Sequence, residues 1–273
     1  MKVRPCSLAV RKVGLFSGLM LALSGAAACT DTAITVQAGH LSELSDWYEY
    51  DASGHQLVHE SGRLNGALLA AAVQCDRWQL AAQMAEPNGD RLYDGQTNTG
   101  SPVLSQSAIR QRQRQLQASF ALTEHWQIGG RWLYQSMGRD IASAGGASGY
   151  PERFDWQLLS LGAQWRAAVG PGQLTMAAWW GQQVQSTMQI TLPGRDQTVL
   201  PLGQIRHMDL AASWRMPLGV AWHVQADVGY RRTEIGEGAE TLITRSGVPV
   251  GVAHQPRSVL VSRPVSIQLG YTF

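Results

Sequence analysis

Residues 220–231 read Val-Ala-Trp-His-Val-Gln-Ala-Asp-Val-Gly-Tyr-Arg, and the pattern has a period of two. Val220, Trp222, Val224, Ala226, Val228 and Tyr230 form one set; Ala221, His223, Gln225, Asp227, Gly229 and Arg231 form the other. Successive side chains of a strand point to opposite faces, so this segment is a strand with one apolar face and one wet face. Residues 265–273 repeat the rule, with Val265, Ile267, Leu269, Tyr271 and Phe273 against Ser266, Gln268, Gly270 and Thr272. A soluble sandwich would turn the apolar set inward. Here the apolar set ends in interfacial aromatics and the other holds Asp227 and Arg231, which suits lipid outside and a polar lumen inside.

Upstream segments extend the reading. Leu174, Met176, Ala178 and Trp180 are expected to face lipid, with Thr175, Gln183, Gln185, Thr187 and Gln189 inward. Met208, Leu210, Ala212 and Trp214 face out opposite His207, Asp209, Ser213 and Arg215. Further outward sets are Leu159, Leu161, Ala163 and Trp165; Ile128, Gly130, Trp132 and Tyr134; Leu116, Ala118, Phe120 and Leu122; and Trp78, Leu80, Ala82 and Met84. Two less regular strands precede these, near residues 34–50 and 56–74, where a bulge is expected to interrupt the phase. The total is ten. A small first link falls at 51–54; short links then fall near 75–77, 123–125, 170–172 and 217–219, and longer ones near 87–105, 140–151, 192–200 and 236–257. Short and long links alternate, as periplasmic turns and outer loops do. The expected fold is all-β: a single antiparallel transmembrane β-barrel of about ten strands with periplasmic termini and long outer loops.

The compartment agrees. Lys2, Arg4, Arg11 and Lys12 precede an uncharged, mostly apolar stretch at 13–25, and Ala26-Ala27-Ala28 offers small residues for cleavage. Residues 1–28 read as a signal peptide and 29–273 as the barrel. Four of the 22 Lys+Arg leave with the leader, so 18 face 20 Asp+Glu and the mature charge is −2. The basicity of the precursor belongs to its leader and does not argue for nucleic acid. No apolar run approaches the roughly 20 residues of a transmembrane helix. Ten tryptophans against four phenylalanines suit the membrane–water interface. Expected surroundings are the outer membrane of a Gram-negative cell, its lipid and lipopolysaccharide, with insertion by the barrel-assembly machinery.

Cys29 and Cys75 remain after cleavage. Cys29 follows the alanines where a lipoprotein cysteine would stand, although Ala26 occupies the place of the usual leucine. Both cysteines fall on the periplasmic rim, where a disulfide could tie the N-terminus to the first turn.

Ten strands, five outer loops, Glu60-Ser61-Gly62, Asn88-Gly89-Asp90 and the closing Gly270-Tyr271-Thr272-Phe273 resemble the omptin family of outer-membrane endopeptidases over nearly the whole mature chain. The resemblance implies an acidic pair on one side of the barrel mouth facing an Asp–His pair that activates water. The matching positions are Asp90 and Asp94, four apart where the family spaces them by two, and His207 and Asp209, in reversed order. As a lumen network, Arg215 and Arg231 would balance Asp209 and Asp227. Arg110, Arg112 and Arg114 continue the outward face of Leu116–Leu122 just above the hydrocarbon band, where guanidinium forks suit lipopolysaccharide phosphates. No metal and no cofactor are expected beyond that lipid; His55 and His59 are four apart on a strand, which is not ligand spacing. Three functions are compatible with these features: a non-catalytic surface-binding or structural barrel, an omptin-like endopeptidase, and a small channel or export-associated barrel.

Overall fold

The computed structural model describes residues 29–30, 32–96 and 100–273, and the leader read at 1–28 lies outside them. Fourteen strands follow in order among the described residues: β1 (Thr32–Tyr50), β2 (Gln56–Cys75), β3 (Trp78–Ala85), β4 (Asn88–Gln96), β5 (Pro102–Ala121), β6 (Trp126–Ile141) and β7 (Pro151–Val169). Then come β8 (Gly172–Ile190), β9 (Thr198–Leu200), β10 (Ile205–Pro217), β11 (Trp222–Ile235), β12 (Thr241–Arg245), β13 (Val248–Ala253) and β14 (Arg257–Thr272). Antiparallel pairing runs β1-β14-β11-β10-β8-β7-β6-β5, and β5 returns through β3 and β4 to β2, which pairs β1. The sheet is therefore a closed barrel.

β3 and β4 are two halves of one crossing. β3 pairs Leu68–Cys75 of β2 and β4 pairs the stretch from His59 to Asn65, with the ladder interrupted at Glu86 and Pro87. Proline cannot donate to a ladder, so a break there is its natural place. Gly66 lets the Glu86 carbonyl lie where a Cβ would stand. Counted this way the wall has ten crossings, as the alternation requires. The expected long link at 87–105 is corrected: most of it is strand, β4 and the start of β5. Its polar outward residues imitate a loop because they stand above the membrane.

The strands are long. Nineteen residues in β7, at about 3.3 Å each and tilted about 40°, rise roughly 45–50 Å, about twice an apolar band of ~25 Å. That height explains a second correction. Outward residues are apolar near the periplasmic end, with Trp78, Trp126, Trp222 and Ile267 all about half exposed or more. Inside the same zone the lumen is polar. In the outer half the chemistry inverts, and Trp47, Leu64, Ile109, Met137, Phe154, Trp156, Leu158, Ile205 and Ile235 fill the interior as one buried cluster. Above the bilayer the wall meets water, so the hydrophobic effect places apolar groups inside as in a soluble barrel.

A bulge completes this inversion in β8. The register runs Leu158 to Gln183 and then Gln157 to Gln185, leaving Val184 as the extra residue. Gln183 stays inward, but Gln185, Thr187 and Gln189 are turned outward, against the expected phase. Met188 and Ile190 take the lumen face and join the core. The bulge expected in the first two strands lies at their outer end, where the register shifts between Glu49 and Tyr50 opposite Val58 and Gln56.

Cys29 and Cys75 are joined, with Cα atoms 5.4 Å apart, so the N-terminal residues are tied to the first periplasmic turn. Thr30 Oγ1 adds a hydrogen bond to Asp76 Oδ1 beside the bridge.

Candidate functional site

Inward side chains of the ten crossings form three polar groups stacked along the barrel axis. The lowest belongs to the periplasmic half. Asp227 of β11 accepts hydrogen bonds from Gln225, Ser266 and Gln268. Arg215 of β10 donates to Gln225 rather than to Asp227 itself. Gln37 donates to Gln225, and its amide nitrogen lies 3.2 Å from His223 Nε2.

The middle group contains the expected His207 and Asp209. Both lie on β10 two residues apart, so they share the lumen face, and both are buried. Asp209 Oδ2 stands 2.7 Å from Arg131 Nη1, and its other oxygen is 3.7 Å from Arg231 Nε. Arg131 also lies over the ring of Trp179, 4.8 Å from its centroid. Arg231 donates to Gln113 and is 4.0 Å from Glu43, which accepts from Ser262. His207 Nδ1 pairs with Thr233 Oγ1 at 2.9 Å. These partners hold the carboxylate between two guanidinium groups. Beside them lies a cavity of about 10 Å³ lined by Gln83, Gln113, Gln115, Leu133, His207, Asp209 and Arg231, room for about one water.

The outermost group is set within the apolar core. Arg139 of β6 reaches Glu49 at 2.7 Å, Glu60 at 2.9 Å and Glu152 at 2.8 Å. Arg91 of β4 is 3.5 Å from Glu60 and donates to Ser45, and Ser107 donates to Glu60. Tyr150, at the end of the loop above, has its hydroxyl pushed above its usual range, first by the Glu152 carboxylate and then by burial. Buried charges are retained where each carries a partner; Arg139 has three carboxylates, whereas Arg91 Nε and Nη1 and Glu60 Oε2 make no hydrogen bond.

The expected catalytic constellation is not assembled. Asp90 and Asp94 sit on β4 with exposed side chains on the outer wall, while Arg91 and Tyr93 between and beside them take the lumen side. His207 and Asp209 point the opposite way, into the barrel. Alternation on β4 enforces this: with Arg91 buried inside, residues 90, 92 and 94 must point out. The lumen network is also corrected. Arg231 does serve Asp209, yet its closest partner is Arg131, which the sequence reading passed over. Arg91 and Arg139 were passed over too; alternation in phase with their neighbours is the signal that could have found them.

Arg110, Arg112 and Arg114 stand as expected on the outer wall of β5, above Leu116. Arg112 Nε is 2.9 Å from Glu86, whereas Arg110 and Arg114 have no acidic partner among the described residues. Tyr134 and Met84 flank Arg114 in the register, and Asn88 flanks Arg110.

These features define an all-β, closed, ten-stranded antiparallel barrel of omptin-like architecture. A solved structure agrees. The outer membrane protease OmpT from Escherichia coli matches with a TM-score of 0.59 at 11% identity, over 90% of this chain and 98% of that one. The translocator domain of the autotransporter NalP from Neisseria meningitidis reaches 0.43 at 12% identity, over 94% of each chain. Ail, the attachment invasion locus protein of Yersinia pestis, reaches 0.37 at 9% identity, over 89% of this chain and all of that one. The likeness to OmpT concerns the fold alone. No protein-family model and no curated protein sequence matches the chain.

Proposed function

We propose that this barrel is a non-catalytic component of the outer-membrane surface, with a binding or structural role, seated by lipopolysaccharide phosphates on Arg110, Arg112 and Arg114. The observation that carries the reading is the filled mouth. Fifteen buried residues from Trp47 to Leu260 pack the outer half of the lumen where a cleft or a pore would need water. His207 and Asp209 lie beneath that packing, bound to Thr233, Arg131 and Arg231, and the acidic residues that would complete a hydrolytic pair are on the other side of the wall. Support for the lipid comes from two outward guanidinium groups without acidic partners among the described residues, at the upper edge of the apolar band. Phosphate oxygens match such forks in geometry as well as charge.

The test uses the refolded barrel in vesicles containing lipopolysaccharide. Replacing Arg110, Arg112 and Arg114 together by Gln is expected to lower retained lipopolysaccharide at least threefold; unchanged retention removes the lipid from the proposal. A fluorogenic peptide panel on the same sample is expected to give no cleavage above buffer. Cleavage abolished by His207→Ala would establish a protease instead, and steady conductance across a planar bilayer would establish a channel.

A further inference from the structure

The outermost polar group does not balance its charge. Glu49 of β1, Glu60 of β2 and Glu152 of β7 bring three carboxylates, while Arg91 and Arg139 bring two guanidinium groups. Glu60 and Arg91 are fully enclosed, and the side chains of Arg139, Glu152 and Glu49 are 2%, 5% and 12% exposed. With every group ionised, the cluster would hold one net negative charge inside an apolar core. An uncompensated charge is costly there.

The contacts show where the excess falls. Glu49 Oε1 and Glu152 Oε2 converge on one nitrogen, Arg139 Nη1, at 2.7 and 2.8 Å, so two carboxylates crowd a single donor. Glu49 also accepts from the Trp47 indole at 2.8 Å. One oxygen of Glu60 takes Arg139 Nε and the Ser107 hydroxyl, while its other oxygen is buried and accepts no hydrogen bond. Among the described residues no third cation is paired with these carboxylates. Around them, β4 brings the Tyr93 ring, 5.9 Å from the Arg139 guanidinium carbon, and the loop above brings Tyr150 against Glu152. From β8, Ile190 is the register partner of Glu152 and carries no charge. Glu43, one layer below, adds a further negative charge that bears on Arg91.

Like charges gathered in a dry site favour protonation of one of them. Glu152 stands at the outer end of β7, above the hydrocarbon band. Its carboxyl is pushed up to about 7, first by burial, with Glu49 and Glu60 adding to the effect and Arg139 opposing it. We propose that this cluster binds one proton, shared by Glu152 with Glu49 and Glu60, in mildly acidic medium and releases it as the medium turns alkaline. The step is a reversible exchange with bulk water in which no bond between heavy atoms changes. The bound proton cancels the excess charge, and it turns one crowded acceptor into an O–H donor. A raised folded-state value gives stabilisation that is complete below the unfolded glutamate value, 4.5, and is lost as pH rises through the folded one. The packed mouth is therefore firmer on the acid side of neutrality.

The experiment uses the full refolded barrel in vesicles, compared by infrared spectroscopy at about pH 6 and about pH 8.5, on either side of the expected transition. The stretch of a buried protonated carboxyl is expected at the lower pH and should vanish at the higher. Glu152→Gln keeps the shape and an acceptor for Arg139, and should lack that band. The Ile141 N–H, which donates to the Tyr150 carbonyl at the base of the loop, reports on the mouth by hydrogen exchange. After correction for intrinsic pH dependence, its protection should be about tenfold greater at the lower pH in the unaltered protein and nearly equal at both in Glu152→Gln. A missing carboxyl band in the unaltered protein overturns the proposal without recourse to any variant. A band and a pH dependence that both persist in Glu152→Gln overturn it as well, because the proton then sits elsewhere. Loss of this proposal leaves the lipid reading untouched, since Arg110, Arg112 and Arg114 take no part in it.

Discussion

Arg131 and Asp209 meet inside the barrel from strands three places apart in the wall, Nη1 to Oδ2 at 2.7 Å, with both side chains almost wholly buried. The pair spans β7 and β8 and so couples strands that share no hydrogen-bond ladder. Removing one partner of a buried ion pair strands the other charge, at a cost of about 3–5 kcal/mol. Arg131→Ala is therefore expected to lower unfolding stability by about that amount in denaturant titrations of the refolded protein. The double variant Arg131→Met with Asp209→Leu should regain part of the loss, because apolar groups replace the close pair while Arg231, which also loses Asp209, keeps of its carboxylate partners only Glu43 at 4.0 Å. A single-variant loss below about 1 kcal/mol, as for an exposed pair, would show that the pair is hydrated.

How far the chain reveals this structure depends on height above the membrane. In the lower half, outward means apolar, and residues 220–231 or 265–273 declare their faces on inspection. In the upper half the solvent outside is water. The same alternation persists on β4, but Arg91 lies inside and Leu92 outside, so polarity no longer names the face. That is why Asp90 and Asp94 read as mouth residues and prove to be on the outer wall. The bulge at Val184 leaves no mark in composition, because one extra residue in a strand is a matter of register. The signal available was the change from Gln183 to the apolar pair Met188 and Ile190, which a strict period of two would have pointed outward. Ring closure, the ten crossings and the Cys29–Cys75 proximity were legible because each depends on element order rather than on the identity of a face.

The packed outer half makes its own prediction. Phe154 is fully buried against Trp47, with ring centroids 5.2 Å apart, and Trp156 lies on its other side. Phe154→Ala should cost about 3–5 kcal/mol, the range for emptying a large aromatic site in a core. A mouth lined by water would lose little. Thermal or denaturant unfolding of the two proteins in the same lipid separates the cases.

The disulfide between Cys29 and Cys75 closes a 46-residue separation and fixes the start of β1 against the first turn. Such a cross-link typically contributes about 2–4 kcal/mol by restricting the unfolded chain. Cys75→Ser should lower stability within that range, and adding reductant to the unaltered protein should reproduce the shift. Reductant should then have no further effect on the variant. Thiol labelling of the folded, unreduced protein is expected to find neither Cys29 nor Cys75 free.

Asp196 gives the outer surface a defined acid limit. Its carboxyl is held below the ordinary carboxylate range, first by the Thr244 hydroxyl and then by the Gly247 and Ser246 N–H groups, although it stands at the surface. A carboxyl with a lowered folded-state pKa contributes its stabilisation above the unfolded value, 3.8 for an aspartate, and loses it as pH falls through the folded value. This clamp on the β12–β13 hairpin is therefore expected to be fully present at neutral pH and to loosen only below about pH 4. Exchange at the Ser246 and Gly247 amides, corrected for the intrinsic pH dependence, should show that loss of protection while the barrel ladder stays protected. Asp196→Asn keeps the shape but removes the charge, so its hairpin should exchange faster at neutral pH and show no further step on acidification. If the variant and the unaltered protein follow the same pH curve, Asp196 does not hold the turn.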